Sequence, residues 1–221
     1  MVANWQYKKI ADVCSVLTDG NWIESKDQSP DGIRLIQTGN IGNGVFKDKG
    51  DKARYISEET FERLSCTEIF EGDVLVSRLP EPIGRSCILP KLEQRTVTAV
   101  DCSILRFKKD LLNKFFVYFT LSPAYNKALK NYIPGSSRKA ISRSNLGLIK
   151  VPVPPIEDQQ RIVDELDLLT GIIDKKNAQL RVLDALAQSI FYEMFGDPNT
   201  NERGWKYKAL GDACTLKAGK G

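Results

Sequence analysis

Residues 151–163 read VPVPPIEDQQRIV, and they divide the chain into two parts of different character. The prolines favour an extended approach, and Pro155 can occupy the first turn of a helix. Beyond that point, apolar side chains recur at alternating spacings of four and three. The positions are Ile162, Leu166, Leu169, Ile173, Lys176, Leu180, Leu183, Ala187, Ile190 and Met194. Such spacing, sustained over several heptads, is typical of one helix of a coiled coil.

The length of this stripe favours pairing with a second helix. An amphipathic helix that lies on its own domain gives the same spacing for one or two heptads. A helix over residues 155–195 would extend for about 60 Å at 1.5 Å per residue. A monomer would leave an apolar stripe of that length in water. Lys176 interrupts the stripe. It either sets the register of the pair or marks local fraying, and the sequence leaves both readings open.

Residues 1–154 alternate short apolar runs with turn residues, which predicts an irregular mixed α/β domain of the α+β class. We expect another helix to begin with Ser122 as N-cap and Pro123 at its first position, and to continue to about Tyr132. The strands are expected at Ile33–Gln37, Asp73–Ser77, Thr96–Val100 and Ser103–Phe107, and weaker helices at Lys52–Leu64 and Asp110–Leu121.

Residues 196–221 repeat the beginning of the chain. Gly196-Asp197-Pro198 is a helix stop. After it, residues 205–216 align without gaps to residues 5–16, with Trp, Tyr, Lys, Asp and Cys in register. We interpret this as a tandem plan with three parts in this chain: a domain over 1–154, a long coiled-coil spacer and dimerisation helix over 155–195, and over 196–221 the start of a second unit or a C-terminal tail.

The composition argues against several kinds of catalysis. The chain has no histidine, which excludes Ser-His-Asp and Cys-His catalysis and histidine-ligated metals. Glycine-rich phosphate loops are absent as well. Its five cysteines are scattered, as reduced thiols of a cytoplasmic protein would be. We therefore expect no catalytic residue, no metal site and no cofactor in this chain. The sequence shows no run long enough for a membrane helix and no apolar signal segment near Met1.

The order of short motifs resembles that of the specificity subunit of Type I restriction–modification systems. An apolar strand ends in Gly39-Asn40-Ile41, and Gly72-Asp73-Val74-Leu75-Val76-Ser77-Arg78 follows, then Ile83-Gly84-Arg85. A basic stretch, Gly135-Ser136-Ser137-Arg138-Lys139-Ala140-Ile141-Ser142, leads to the proline segment and its Glu157-x-Gln159-x-x-Ile162 motif. Together with the stripe and the repeat, these motifs cover essentially the whole chain.

The resemblance implies a DNA target-recognition domain and a helix that acts as a spacer. In that family two recognition domains each read half of a split DNA site, and two long helices pair antiparallel between them. The implied partners are double-stranded DNA, modification (methyltransferase) subunits that bring S-adenosylmethionine, and a restriction subunit. This chain completes only one domain. It is a natural half-subunit, an early-stop product or a fragment, and as an antiparallel homodimer it would read a gapped palindrome.

Three segments are candidates for the DNA contact, because arginine reads guanine, Asn and Gln read adenine, and basic or hydroxyl groups hold phosphates. The first is the loop Pro134–Asn145, with no acidic residue. The second is Ser77–Ser86, and the third is the turn after the first strand. The candidate residues are Ser136, Ser137, Arg138, Lys139, Arg143 and Asn145 in the first, Arg78 and Arg85 in the second, and Gln37, Thr38 and Asn40 in the third.

Each candidate has a structural alternative. The basic loop is also what a solvated surface looks like, Arg78 can pair with Glu81, and Asn40 can serve only to shape a turn. Asn21 and Trp22 could be an exposed contact, although a core position for Trp22 is favoured. Net charge is only +4. A coiled-coil dimerisation protein whose head binds a ligand other than DNA therefore remains the rival hypothesis, and salt-dependent DNA binding would separate the two.

Overall fold

The computed structural model describes residues 5–79, 81–133, 140–215 and 217. The strands are β1 Gln6–Lys9, β2 Cys14–Asp19, β3 Ile33–Ile36, β4 Arg54–Ile56, β5 Glu68–Ile69, β6 Val74–Ser77, β7 Ser86–Ile88, β8 Thr96–Thr98, β9 Cys102–Phe107 and β10 Lys150–Val153. The α-helices are α1 Ile10–Val13, α2 Glu58–Arg63, α3 Asn113–Thr120, α4 Pro123–Lys130, α5 Arg143–Leu148, α6 Ile156–Phe195 and α7 Leu210–Ala213. Three short 3-10 turns lie at Ser25–Asp27, Thr38–Asn40 and Gly50–Lys52.

The first compact unit, Met1–Asp167, contains two four-stranded sheets and a two-stranded ribbon. One sheet has the order β2-β9-β6-β7 and is antiparallel throughout. The other has the order β4-β3-β8-β5, with β3 and β8 parallel. The ribbon pairs β1 with β10, so that Gln6 lies opposite Val153. These elements, with the long helix that follows them, confirm the predicted α+β class.

Strand β6 shows why the antiparallel β2-β9-β6-β7 sheet is apolar on both faces. Val74 and Val76 point into a core formed with the helices, whereas Leu75 points into a second core between the sheets. Side chains alternate along a strand, so one strand can feed two cores. A third core lies around Ile33, Leu35 and Val97 in the second sheet. The predicted strands all occur, with ends that differ from the prediction by one or two residues.

The helix predicted over Lys52–Leu64 is wrong in its first half. Arg54–Ile56 is strand β4, which pairs antiparallel with β3, and only Glu58–Arg63 is helical. Ser57 is the N-cap of that helix and accepts a hydrogen bond from the Thr60 backbone N–H at 3.1 Å. The predicted cap at Ser122 is confirmed, because its hydroxyl accepts from the Tyr125 N–H and Pro123 begins α4.

The buried side chain of Gln159 fixes the first turns of α6 to the domain. Its Oε1 accepts from the Leu112 backbone N–H at 2.9 Å. Its Nε2 donates to the carbonyl oxygens of Asp110 and Pro154, both at 2.8 Å. Val163 is buried one turn later, and Ile162 packs partly against the same core. The alternative in which the helix lies on its own domain therefore holds for this part of α6.

The second compact unit, Leu168–Gly221, contains the rest of α6 and the segment after it. The helix is continuous through Gly171 and Lys176, so the fraying alternative for Lys176 is not observed. The repeat recurs in structure, since α7 at Leu210–Ala213 corresponds to α1 at Ile10–Val13 at the same offset. Ile10 is buried, whereas its counterpart Leu210 is exposed. Among the described residues, no helix is long and apolar enough to cross a membrane.

Candidate nucleic-acid interface

The first candidate segment is described only from residue 140 onward. Ser136, Ser137, Arg138 and Lys139 lie outside the described residues. The expectation of a loop as far as Asn145 is wrong, because α5 begins at Arg143. Ser142 is its N-cap and accepts from the Asn145 N–H at 3.0 Å, which satisfies a donor that the first helical turn leaves open. The Asn145 side chain donates to the Tyr132 carbonyl oxygen at 3.2 Å.

Asp19 lies between two of the predicted DNA-contact arginines. Its Oδ1 is 3.2 Å from Nε of Arg78, and its Oδ2 is 3.7 Å from a guanidinium nitrogen of Arg143. The Ser103 hydroxyl donates to the same carboxylate at 2.7 Å. Arg78 is therefore held by Asp19 at the end of β2, and the sequence did not indicate this partner. The carboxylate offsets part of the positive charge that the two arginines bring to this surface.

Arg85 joins the second candidate segment to the third. One guanidinium nitrogen donates to the Thr38 carbonyl oxygen at 3.3 Å and to the Ser77 hydroxyl at 3.2 Å. The other terminal nitrogen donates to the carbonyl oxygen of Glu81 at 3.4 Å. These hydrogen bonds use the guanidinium of Arg85 to stabilise the loop between β6 and β7. Its position brings the Thr38 turn next to the strand end that carries Arg78.

The loop that contains Arg85 packs closely on α4. Gly84 has φ +79°, and a Cβ there would come within 2.5 Å of Leu129 Cδ1. The buried Tyr125 hydroxyl donates to the Gly84 carbonyl oxygen at 3.2 Å. Only glycine combines this backbone conformation with so close an approach. The loop is therefore held against the helical core, and its exposed side faces the surface that carries the candidate residues.

The turn at residues 37–40 is held by its backbone and by the Asn40 side chain. The Gln37 carbonyl oxygen accepts from the Asn40 backbone N–H at 2.8 Å, and the Asn40 Oδ1 accepts from the Gln37 N–H at 3.0 Å. Asn40 Nδ2 donates to the Lys47 carbonyl oxygen at 2.9 Å. Asn40 is only 4% exposed. Asn40 therefore shapes the turn, which is the alternative that the sequence offered. The side-chain amide N–H groups of Gln37 take no part in these contacts.

These contacts gather the three candidate segments on one surface of the first unit. Arg78 and Arg143 both lie beside Asp19, and Arg78 also donates to the Ile141 carbonyl oxygen at 3.3 Å, which joins the first segment to the second. Arg85 donates to both Ser77 and Thr38, which joins the second segment to the third. The segments are far apart in sequence. Their contiguity is the property that a surface needs in order to follow several consecutive nucleotides.

Trp22 does not lie in the core, contrary to expectation. It is 68% exposed, and its indole N–H donates to the Glu24 carboxylate at 3.0 Å. The preceding Gly20 lies against the end of β8, where a Cβ would meet the Thr98 carbonyl oxygen at 2.3 Å, so no side chain fits there. Asn21 then binds backbone groups, accepting from the Thr67 N–H and donating to the Leu64 carbonyl oxygen.

The apolar stripe of α6 lies on an exposed part of the helix in the second unit. Leu180 is 59% exposed and Leu183 is 58% exposed. The exposed members of the stripe also include Leu169, Ile173, Ile190 and Met194. Isolated exposed leucines are ordinary, but an aligned series of this length is the pattern of an association surface.

Four of the five cysteines are buried, and Cys214 is exposed. Cys14, Cys66, Cys87 and Cys102 are buried and free. Burial raises the pKa of the Cys14, Cys87 and Cys102 thiols to about 12. The thiolate, which is the nucleophile, is then scarce at neutral pH. In the part of the chain that is described, no group of Cys, Asp and Glu has the arrangement of a metal site.

A family model described as Type I restriction modification DNA specificity domain matches residues 3–183. The chain is 24% identical over 235 residues to the Type I restriction enzyme MjaIX specificity subunit of Methanocaldococcus jannaschii, and the match covers 98% of this chain and 53% of that protein. It is 28% identical to the StySPI specificity subunit of Salmonella potsdam, over 68% of this chain and 32% of that one.

The fold is also found among solved structures. The HsdS subunit from Thermoanaerobacter tengcongensis superposes with a TM-score of 0.61 at 21% identity, covering 89% of this chain and 46% of the other. At that identity the likeness concerns the fold. The chain spans about half the length of the curated relatives that it matches along most of its length.

Proposed function

Because this chain belongs to the Type I restriction–modification DNA specificity family, we propose that it is a sequence-specific DNA-binding subunit that reads one half of a split site. The observation that carries the proposal is the contiguity of the three candidate segments around Asp19 and Arg85. A reading surface needs side chains from several loops on one face, and phosphate contacts beside base contacts.

The candidate residues take different roles in this proposal. Arg143 is exposed at the start of α5 and is the best-placed described side chain for a guanine. Gln37 and Thr38 present an amide and a hydroxyl on the adjoining turn. Arg85 and Asn40 position that turn. Ser136, Ser137, Arg138 and Lys139 lie outside the described residues, and we propose them as phosphate contacts from their residue types alone.

Asn145 and Arg78 complete the proposed surface. The Asn145 amide donates to Tyr132 and so orients the first turn of α5. Arg78 is held by Asp19, and in the DNA complex its guanidinium would exchange that carboxylate for a phosphate or a base edge. An acid beside reading arginines also weakens binding to sequences that make no specific contact, which raises discrimination.

We assign a separate role to each of the three parts of the chain that the sequence predicted. Residues 1–154 form the target-recognition domain, residues 155–195 the spacer and dimerisation helix, and residues 196–221 the start of a second repeat unit or a C-terminal tail. We propose no catalytic role for the chain. DNA methylation and cleavage would be carried out by modification and restriction subunits that bind it, in the cytoplasm where the DNA is.

The partner that we propose for the helix stripe is a second copy in antiparallel orientation. If Leu180 faces Leu183 of the second copy, the same offset sets Ile173 against Ile190 and Leu169 against Met194. Lys176 then faces Ala187, whose small side chain leaves room for the lysine to reach the edge of the pair. Asp184 of the second copy lies one turn from that layer and can pair with the ammonium. The stripe is thus complementary to itself in one register.

A two-fold homodimer would read a palindrome with a gap. The test is to co-express the chain with its modification subunit and to map adenine methylation on genomic DNA. We expect identical inverted half-sites around a spacer of fixed length. Methylation without a sequence pattern, or DNA binding that does not depend on salt, would contradict the proposal and favour a head that binds another ligand.

A further inference from the structure

A basic cavity of about 280 Å³ lies between the turn at residues 37–40, which carries candidate contacts, and the segment at residues 49–54, which carries none of them. It is bounded by β3, by that turn and by residues 49–54. The basic residues of its lining are Arg34, Lys49, Lys52 and Arg54, and among the described residues that line it none is acidic. A concave site with this charge pattern suits an anion.

Arg34 forms the fixed wall of the cavity. It is only 7% exposed, and its guanidinium donates to Asp48 at 2.6 Å and to the Tyr55 hydroxyl at 3.2 Å. Its Nε is buried and has no hydrogen-bond partner among the described residues. A hydrogen bond from the Gly50 backbone N–H, and then the Arg34 guanidinium, hold the pKa of Asp48 below its usual value. Asp48 is therefore ionised at neutral pH and offsets the charge of Arg34.

The other three cations give the cavity wall its positive charge, and Asp51 of the same segment is not among the lining residues. Arg54 donates to the amide oxygen of Gln28 at 2.6 Å, a partner that carries no charge to offset that of the guanidinium. Within the described ranges neither Lys49 nor Lys52 forms a salt bridge, although Asp51 lies between them in the sequence. A Cβ on Gly39 would lie 3.6 Å from both Cε and Nζ of Lys49. The Lys49 ammonium is therefore positioned over the backbone of the turn.

The cavity is continuous with the candidate interface. Gly39 belongs to the turn whose Thr38 carbonyl oxygen accepts from Arg85. Lysine ammonium groups act as point charges and lack the planar fork by which arginine reads a base. Contacts of this kind fix the position of a protein on the duplex without carrying sequence information.

We propose that this cavity holds one backbone phosphodiester of the bound DNA duplex, with Lys49 and Lys52 as the ligating cations. This inference rests on the proposed function. It assigns to residues 49–54 a positioning role that is separate from base reading by Arg143 and Gln37. The expected consequence is a contribution to affinity that depends on salt and is equal for all sequences.

The test uses the full chain, with Lys49 and Lys52 both replaced by Ala. Fluorescence anisotropy measures its affinity for two labelled duplexes over a salt series, one with the mapped half-site and one scrambled. Loss of one phosphate contact should reduce the slope of log K against log salt by about 0.9 on both duplexes. The ratio of the two affinities should stay as in the wild type. Lys91→Ala, on an exposed lysine among the acidic residues Glu68, Glu71 and Glu93, is the control and should change neither quantity.

A second variant addresses the same cavity without removing a lysine. Gly39→Asp would place a carboxylate beside the Lys49 ammonium, and it should also flatten the slope. Its backbone conformation is accessible to a side chain, and the nearest atoms are those of the flexible Lys49. Thermal melting of each variant in the absence of DNA verifies that the fold is kept.

Three results would overturn the inference. Unchanged slopes in both variants would show that the cavity holds no phosphate of the duplex. A changed affinity ratio would show that the lysines read bases. Inorganic phosphate at constant ionic strength could raise the melting temperature of the wild type but not of the double variant. If the two proteins then have the same salt slope for DNA binding, the cavity takes a small free anion instead. A wild type without salt-dependent DNA binding would contradict the proposed function itself, which is a distinguishable outcome.

Discussion

The helix stripe gives the most direct test of assembly, through Leu180→Asp combined with Leu183→Asp. Leu180 and Leu183 are 59% and 58% exposed in the single chain. Complete burial of a leucine contributes about 1.5–3 kcal/mol. The exposed fraction therefore leaves roughly 1–2 kcal/mol for each side chain to gain on association. Both leucines occur twice in a homodimer, so their loss should cost about 4–7 kcal/mol before any penalty for burying the new charges.

That cost raises the dissociation constant by about three to five orders of magnitude. Sedimentation velocity over a concentration series should show a dimer for the wild type and a monomer for the double variant. The matched control is Ala178→Asp with Ala185→Asp, which adds the same charge to the same helix on the side away from the stripe. We expect this control to remain a dimer.

Two outcomes would refute this reasoning. A double variant that sediments as the wild-type dimer would show that Leu180 and Leu183 do not form the contact. A control that dissociates equally would show that charge on the helix, rather than the stripe, governs association. Circular dichroism of both variants establishes that α6 is still helical, so that a monomer is not explained by unfolding.

Four further changes test other parts of the proposal. Arg143→Ala should weaken binding to the mapped site by roughly 1–3 kcal/mol if the contact is to guanine, and unchanged anisotropy at low and high salt would exclude the contact. Asp19→Asn should raise affinity for a scrambled duplex roughly five-fold, about 1 kcal/mol, and lower discrimination, because it frees two arginines; unaltered discrimination would count against this role. Gln159→Ala should lower the free energy of unfolding by about 2–4 kcal/mol in urea melts, since it leaves a buried N–H and two carbonyl groups without partners. A heptad inserted between Leu169 and Lys176 lengthens the helix of each copy by about 10 Å and so moves the two heads about 20 Å further apart; methylation mapping should show the same half-sites with up to about six more base pairs between them.

The sequence predicted best those elements whose determinants are local. The α6 helix follows from its proline start and regular spacing, and α4 follows from the Ser122 cap with Pro123. Strand β4 could not be predicted in this way. Tyr55 and Ile56 favour strands, but a strand of three residues is too short to stand out in the sequence, and it is extended because it pairs with β3, which lies earlier in the chain. Tertiary pairing outweighs a weak helical pattern there.

The interface was predicted in part for a similar reason. Arginines and amides can be found by residue type, but Asp19 is a single acid whose importance comes from its position beside Arg78 and Arg143. The basic segment at residues 47–54 was missed because Asp48 and Asp51 interrupt it, and a search for loops without acids passes over it. In the structure Asp48 pairs with Arg34, so that it forms no salt bridge with the neighbouring lysines.

The ribbon of β1 and β10 has a consequence for how such a protein can change over time. The chain enters the domain through Gln6–Lys9 and leaves it through Lys150–Val153, and these two strands lie side by side. Everything between them is one uninterrupted stretch of gene, with both ends at the same place. Under the proposed function, recombination that exchanges this stretch would give the protein a new target in a single event, because α6 stays unaltered and Gln159 needs only backbone groups, here those of Asp110 and Leu112, as partners within the exchanged stretch. The ribbon thus marks the boundary of a segment that can be replaced as one unit.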